Sequence, residues 1–478
     1  MRVAAIDQGT TSTRCLLVED GGEARTVAAI RHTQFHPAPA WVEHDPEELL
    51  GNIRTVLKRA SPVDAIAIAN QGESCLAWDG VTGEALSRVI VWQDARTADV
   101  LAELDAGAQR RSRAVSGLPL DPYFSASKLA WLVRNLPAVR SALAAGRLRL
   151  GTTDAFFLDR LCGTFSTDVA TASRTGLLDL DRQIWSAEMC ALHGVPIECL
   201  PPIAPVDAGS GTIDGIPVKV SIVDQQAALY GHGCRRPGDC KITFGTGAFL
   251  LAVAGNERPL AGGGLLPTVA WQRREERTVF AIEGGVYDAG AAVEWARTIG
   301  LFSSVEELDS FDGCSALSRG LAFVPALSGL AAPHWDRLAA PVFIGMDHAT
   351  NSRDMVRTVL EGIAMLTVGL IEAAADVIEA ASGISIDGGL SQSAYFVQFL
   401  ASASERPIVV PAMHELTALG LAELCGADTT SARAAITTYL PDGSVTSEDR
   451  ERFARAVDLA RNWRGDRRKP FLQGVVAH

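Results

Sequence analysis

Asp7-Gln-Gly-Thr-Thr-Ser-Thr-Arg14 places a carboxylate, a glycine turn and five hydroxyl or cationic side chains within eight residues. Backbone N–H groups and hydroxyls gathered in such a turn can hold a nucleotide phosphate. Asp7, ending an apolar strand, could set negative charge near a Mg²⁺ ion. An ordinary polar hairpin uses the same residue types, because Gly and Thr are common in turns and Asp caps many of them. Cys240-Lys-Ile-Thr-Phe-Gly-Thr-Gly-Ala-Phe-Leu-Leu-Ala-Val253 repeats the plan of strand, Gly-Thr turn and strand roughly half a chain later. The duplication implies two similar domains facing each other, each offering a phosphate-gripping turn to a ligand in the cleft. Chance coincidence of two short matches is the competing explanation.

These turns need strands on either side. Val3–Ile6 reads as a buried strand and Cys15–Val18 as its hairpin partner. Strands alternate with helices along the whole chain, the pattern of an α/β class with sheets covered by helices. Asp45-Pro-Glu-Glu48 is a helix start, with Asp45 as N-cap, Pro46 at the first helical position and Glu48 placed to close a capping box. Ala65–Ile68 and Val89–Val91 are short apolar strands ending in the polar clusters Asn70-Gln-Gly-Glu73 and Trp92-Gln-Asp94. Strand ends of this kind often carry function. The strand Val218–Val223 leads to Asp224, which on its own could be a turn cap, and Ile384–Asp387 runs into Gly388-Gly389, a tight strand-to-helix turn. The segments 200–218 and 259–267 are rich in Pro and Gly without being of low complexity.

Composition narrows the function classes. A chain of 478 residues is too long for one core, and its length favours about two to four domains. Its hydrophobic fraction of 47% and charged fraction of 21% suit a soluble globular protein. A net charge of −13 with no long basic run argues against nucleic acid or an acidic membrane as partner. The nine cysteines are scattered and lack CxxC or His-linked metal spacing, which suits buried thiols in a reducing cytoplasm. Four apolar residues before Asp7 are too few for a signal-peptide core. The longest apolar helical stretch, around 363–381, is interrupted by Glu372, Asp376 and Glu379 and reads as a packed helix, with no membrane span expected.

The ordered motifs resemble the FGGY carbohydrate kinases, most closely the glycerol kinases among them. The matching segments are Asp7-Gln-Gly-Thr-Thr-Ser, Trp41-Val-Glu-His-Asp-Pro46, Ile90-Val-Trp-Gln-Asp94, Asp121-Pro-Tyr-Phe-Ser125, Asp224-Gln-Gln-Ala-Ala228, Gly245-Thr-Gly247, Pro333-His-Trp-Asp336 and Asp387-Gly-Gly389. Residues 123–135 fit one family signature, and residues 341–361 fit a second with departures at Pro341 and Thr358. Any single motif is weak, but so many in order are specific.

The resemblance implies two actin-like (ribonuclease H-like) domains, here residues 1–232 for acceptor and phosphate and 233–478 for nucleotide, closing over ATP and a sugar or polyol. Asp224 matches the aspartate that accepts the acceptor proton. Glu73, Trp92, Tyr123, Asp224, Gln225 and Phe249 match the acceptor pocket, where carboxylate and amide groups pair with hydroxyls and aromatic walls cover the carbon chain. Thr10, Thr11, Ser12 and Arg14 match the first phosphate motif, Gly245 and Thr246 the second. Gly290 matches the nucleotide-side helix, with Glu294 in place of a Gln, and Gly388 and Gly389 match the adenosine contact. Asp7 would reach Mg²⁺ through water, as phosphate-bound Mg²⁺ keeps several waters. The implied activity is transfer of the γ-phosphate of ATP to a hydroxyl of glycerol or a related polyol, by a cytoplasmic homodimer or homotetramer.

Two departures stand out. Asn70-Gln-Gly-Glu73 has Gly72 where glycerol kinases carry an arginine. Losing a hydrogen bond to a charged donor costs about 1.5–3 kcal/mol, roughly tenfold to a hundredfold in affinity. The glycine also leaves volume, so a longer acceptor such as a tetritol, pentitol or ketose is expected to fit as well as or instead of glycerol. Ile213-Asp-Gly215 does not match the Gly-x-Arg loop of some bacterial glycerol kinases, so sugar-bisphosphate feedback is not expected. A non-catalytic actin-like ATPase or sensor would share the phosphate turns but would have no reason to keep Asp224-Gln225 together with Glu73 and Trp92.

Overall fold

The computed structural model describes the whole chain except residues 21–23, 261, 380–382, 434–435 and 465–478. Two large sheets form its frame. The first contains β1 (Arg2–Gln8), β2 (Ser12–Glu19), β3 (Ala24–Arg31), β4 (Ala65–Asn70), β5 (Thr212–Ile213) and β6 (Ile216–Val223), in the order β5-β6-β4-β1-β2-β3. The second contains β7 (Cys240–Phe244), β8 (Ala248–Gly255), β9 (Leu266–Trp271), β10 (Val279–Val286), β11 (Ile384–Gly388), β12 (Ile408–Pro411) and β13 (Ile436–Tyr439), in the order β9-β10-β8-β7-β11-β12-β13.

The repeated turn belongs to a repeated topology. In the first sheet β1 pairs antiparallel with β2 and parallel with β4, and β4 pairs parallel with β6. In the second, β7 pairs antiparallel with β8 and parallel with β11, and β11 pairs parallel with β12. Parallel strands are covered on both faces and therefore read as unbroken apolar runs. Val3, Ala4, Ala5 and Ile6 are all fully buried, as are Ile242 and Ile386 at the centre of the second sheet. Each sheet thus delivers a Gly-Thr turn between its central strand and that strand's hairpin partner.

The helix α1 (Pro46–Ala60) starts where expected, with the Asp45 side chain accepting from the N–H groups of Glu47 and Glu48. Glu48 does not close the capping box; its carboxylate instead accepts from the Thr33 N–H at 3.1 Å, fastening β3's exit to the helix. Asp214 and Gly215 form the left-handed tip of the tight β5–β6 hairpin, at φ 52° and 82°.

Three further helices position the site. The helix α2 (Asp224–Gly231) follows β6 directly, α3 (Gly290–Thr298) follows β10, and α5 (Leu416–Leu424) follows β12, with the long α4 (Ser352–Ala375) packed across β8 and β10. Helix α4 is the one described helix long and apolar enough to cross a membrane, and most of it is buried in the core beneath the second sheet. It ends at Ala375, capped by Asp376, short of the stretch read from sequence; Ala380 and Ala381 lie outside the described residues. Helix α5 lies against α2 and against β1, β2 and β4. One continuous apolar core therefore joins Val3 and Ala5 of β1, Ala227 of α2, Leu251 of β8 and Leu421 of α5, welding the two halves at the base of the cleft.

Candidate active site

Asp224 stands on the wall of a small cavity because β6 ends at Val223 and α2 begins at once. One carboxylate oxygen accepts from the Gln225 N–H at 2.7 Å. Burial, with Asp7 and Glu73 nearby, pushes its carboxyl up to about 8. A carboxylate so raised is a stronger proton acceptor than an exposed aspartate.

All six residues expected to meet the acceptor, Glu73, Trp92, Tyr123, Asp224, Gln225 and Phe249, line a single cavity of about 150 Å³. The rings of Trp92 and Tyr123 meet edge to face at 5.5 Å, and Trp92 and Phe249 at 6.1 Å. Trp92 is fixed by donating to Thr10 Oγ1 at 2.9 Å, and the buried Lys128 ammonium ties the Trp92 and Tyr123 carbonyls at 3.1 and 3.0 Å. Burial pulls Lys128 down to about 8. Glu73 adopts φ 57°, in the left-handed region, a strain of order 1–3 kcal/mol for a residue with a side chain. Ser125 holds it there by donating to the Glu73 carbonyl at 2.8 Å.

A second cavity of about 940 Å³ is lined by Gly245, Thr246, Gly290, Glu294 and Gly389. Gly245 and Thr246 line both cavities, so the two spaces meet at the second Gly-Thr turn. The turn is held by α3: the Gly290 N–H donates to the Gly245 carbonyl at 3.0 Å and the Ala291 N–H to the Thr246 carbonyl at 2.9 Å. A Cβ on Gly290 would lie 2.4 Å from the Gly245 carbonyl oxygen. Gly290→Ala is therefore expected to displace the turn and raise KM for nucleotide about tenfold or more, with KM for acceptor changed less, as steady-state kinetics will report. Gly388, at φ 90°, tolerates no Cβ either, since one would sit 2.2 Å from the Phe244 carbonyl oxygen. Glu294, the charged replacement for Gln, turns to Arg297 at 2.5 Å.

The first turn is placed differently. Thr10 lines the acceptor cavity, whereas Thr11, Ser12 and Arg14 line neither cavity. Arg14 pairs with Glu415 at 3.1 Å, just before α5. Asp7 is half-buried, with a buried Oδ1 that lacks a partner among the described residues, and desolvation together with Glu415 raises its carboxyl to about 6. An orphaned buried carboxylate oxygen costs free energy unless a cation or water meets it, so the residues present fit a divalent ion at this end of the cleft.

Sequence reasoning missed Arg174, Glu283 and Lys241. Arg174 donates to Glu73 at 2.8 Å and to Glu283 at 2.9 Å, and both carboxylates border the acceptor cavity. Lys241, fully buried on β7, donates to Gln225 Oε1 and to Thr243 Oγ1. Arg174 and Glu283 are each a lone charge inside an otherwise apolar or small-residue run, which was the available signal, whereas Lys241 follows Asp239 by two residues and has no such mark. The volume expected beside Gly72 is partly taken up: a Cβ there would already touch Val223 at 3.0 Å.

Comparison with known proteins agrees with this geometry. Residues 2–231 match the FGGY family of carbohydrate kinases, N-terminal domain, and residues 240–428 match its C-terminal domain. Curated glycerol kinases from Saccharopolyspora erythraea and Alkalilimnicola ehrlichii are 38% and 39% identical, over 89% and 97% of this chain and 89% and 99% of theirs. The crystal structure of Plasmodium falciparum glycerol kinase with ADP superposes with a TM-score of 0.86 at 28% identity, covering 96% of this chain and 98% of that one. A paired Gly-Thr frame, two cavities that meet at the second Gly-Thr turn and an aspartate on the wall of the smaller one thus have one common account: the chain belongs to the FGGY family of carbohydrate kinases, phosphotransferases with an alcohol acceptor.

Proposed function

We propose that the acceptor is glycerol or a closely related polyol and that ATP with Mg²⁺ is the donor. The observation that carries this reading is the convergence of six hydroxyl-binding and aromatic residues on one small cavity that meets the nucleotide cleft at Gly245 and Thr246. Phosphoryl transfer asks chiefly for positioning and charge stabilisation. Glu73 and Gln225 hold acceptor hydroxyls, and Trp92 and Phe249 cover the carbon chain. Asp224 Oδ accepts the proton of the attacking hydroxyl, and the Gly245-Thr246 backbone meets the transferring phosphate. Asp7 would hold a Mg²⁺ ion, which would supply neutralisation of the phosphate charge. Closing the cleft excludes water and keeps the phosphate from hydrolysis.

The similarity to curated glycerol kinases and the cavity of about 150 Å³ favour a three-carbon acceptor over a pentitol or ketose. An ATP-consumption screen over glycerol, tetritols, pentitols and ketoses, with the phosphorylated position mapped, is expected to give the highest kcat/KM for glycerol. A higher value for any longer acceptor would transfer the assignment to it, and turnover with none would restore the sensor reading.

A further inference from the structure

Lys241 is fully buried, and no step of the proposed reaction uses it. It lies on β7 two residues before Thr243, so the two side chains leave the strand on one face. Its ammonium donates to Thr243 Oγ1 at 2.9 Å and to Gln225 Oε1. Asp387 stands opposite Thr243 on the parallel strand β11, and His232 Nε2 lies 3.4 Å from Asp387 Oδ2. His232 is fixed in turn by a 2.7 Å hydrogen bond between Nδ1 and Ser385 Oγ. Desolvation pulls Lys241 below its usual value, opposed by Asp387, Asp224 and Glu283. Desolvation acts to raise Asp387, yet His232 and Lys241 hold it below the usual carboxylate value. A buried charge persists when it has partners of this kind, and Lys241 has them on three elements, β7, β11 and α2.

An ammonium carries three donors and no acceptor, whereas a carboxamide has an acceptor at one end and donors at the other. Lys241 therefore meets Gln225 only through Oε1, which sets the amide one way round. Gln225 lines the acceptor cavity, whereas Lys241 does not. Gln225 Nε2 has no partner among the described residues and is reachable by water, so it is the polar end that the side chain offers to the cavity. We propose that Lys241 is a positioning residue, holding Gln225 Oε1 so that Nε2 stays presented as a donor to an acceptor hydroxyl oxygen. The inference rests on the polyol reading above. Without Lys241 the amide samples both orientations, and only one of them offers the donor.

The test compares full-length wild type with Lys241→Met, Gln225→Glu, Gln225→Ala and the double variant Lys241→Met with Gln225→Ala, all on glycerol and ATP. Lys241→Met should raise KM for glycerol about tenfold while KM for ATP stays within about twofold. Gln225→Glu keeps its contact with Lys241 and gains an ion pair, but it has no donor to offer, so KM for glycerol should again rise about tenfold. A contact that served stability alone would leave that KM unchanged. Adding Lys241→Met to Gln225→Ala should alter KM for glycerol by no more than about twofold, because the group it acts through is gone. If Lys241→Met does not fold, Lys241→Gln, which offers Gln225 both a donor and an acceptor, takes its place in the comparison. Full additivity of the two substitutions, or an unchanged KM for glycerol in a folded variant at position 241, overturns the role of Lys241 and leaves the kinase assignment intact. A fall in kcat with a displaced pH profile and unchanged KM also overturns it, since Lys241 would then act on Asp224. Wild type inactive on every polyol overturns the acceptor reading itself, and the role of Lys241 with it.

Discussion

Asp224→Asn is expected to lower kcat by at least ~10²-fold while KM for acceptor and nucleotide stay within a few-fold, because the amide keeps the shape of the carboxylate but cannot take a proton. Turnover close to wild type would remove Asp224 from the role of base. The same residue sets a pH dependence. Its carboxyl is raised from 3.8 to about 8 by burial and by Asp7 and Glu73, so in the free enzyme the competent ionised form grows as pH rises. The kcat/KM of wild type should climb with pH and level off above about 8. Stability moves the other way. Between the unfolded value near 4 and the folded value near 8 the native state holds a proton that the unfolded chain has released, so native stability falls as pH rises through that window. Asp7 and Glu73, also raised by burial, act in the same direction. Asp224→Asn lacks this penalty. Its melting temperature without nucleotide should gain on wild type progressively from pH 5 to pH 8, and parallel melting curves at all pH values would contradict the assignment.

The second large effect is expected at a helix crossing whose contact residues line neither cavity. Helices α2 and α5 approach with backbones in contact: a Cβ on Gly231 would lie 1.8 Å from the Leu416 carbonyl oxygen, and one on Gly420 would lie 2.0 Å from that of Ala227. Backbone cannot swing aside as a long side chain can, so Gly420→Val must force the helices apart. Overpacking a core costs about 1–3 kcal/mol when side chains can adjust, and the cost here should reach or exceed the top of that range. The first turn of α2 carries Asp224 and Gln225, so separation also moves the base, and a misplacement of about 1 Å is enough to cost ~10²-fold in rate. Thermal unfolding and kcat should therefore fall together. Gly369→Ala on α4 is the control: nothing lies within 4 Å of a Cβ there, and replacing a helical glycine in open space gains up to about 1 kcal/mol. If Gly420→Val melts and turns over like wild type, the crossing does not hold the site.

Much of this was legible in the chain because it is local. The run of Val3 to Ile6, the Gly-Thr turns and the start of α1 at Asp45 depend on neighbours a few residues away, and the structure contains each of them. The duplicated strand-turn-strand motif extended correctly to a duplicated sheet, since a central strand that pairs antiparallel on one side and parallel on the other is reached twice by the same succession of elements. The six acceptor candidates were found through motif order, and they share one cavity.

What tertiary structure alone decided involves partners remote in sequence. Arg174 meets Glu73 and Glu283 across 101 and 109 residues, and no spacing rule connects such positions. Thr11, Ser12 and Arg14 carry the same residue types as a phosphate grip, yet they line neither cavity, because the register of β1 and β2 puts Asp7 opposite Arg14 and leaves Arg14 to Glu415. Glu48 stood in the right place for a capping box, but the N–H of Thr33 on the incoming chain was nearer its carboxylate's reach. By itself the sequence determined the α/β class, the repeated frame and the kinase family, all written in periodicity and short motifs. Which charges complete the acceptor site, and which glycines must stay bare for α2 to hold Asp224, follow only from the packing of distant segments, since burial turns an ordinary arginine or glycine into an irreplaceable one only when a particular neighbour arrives.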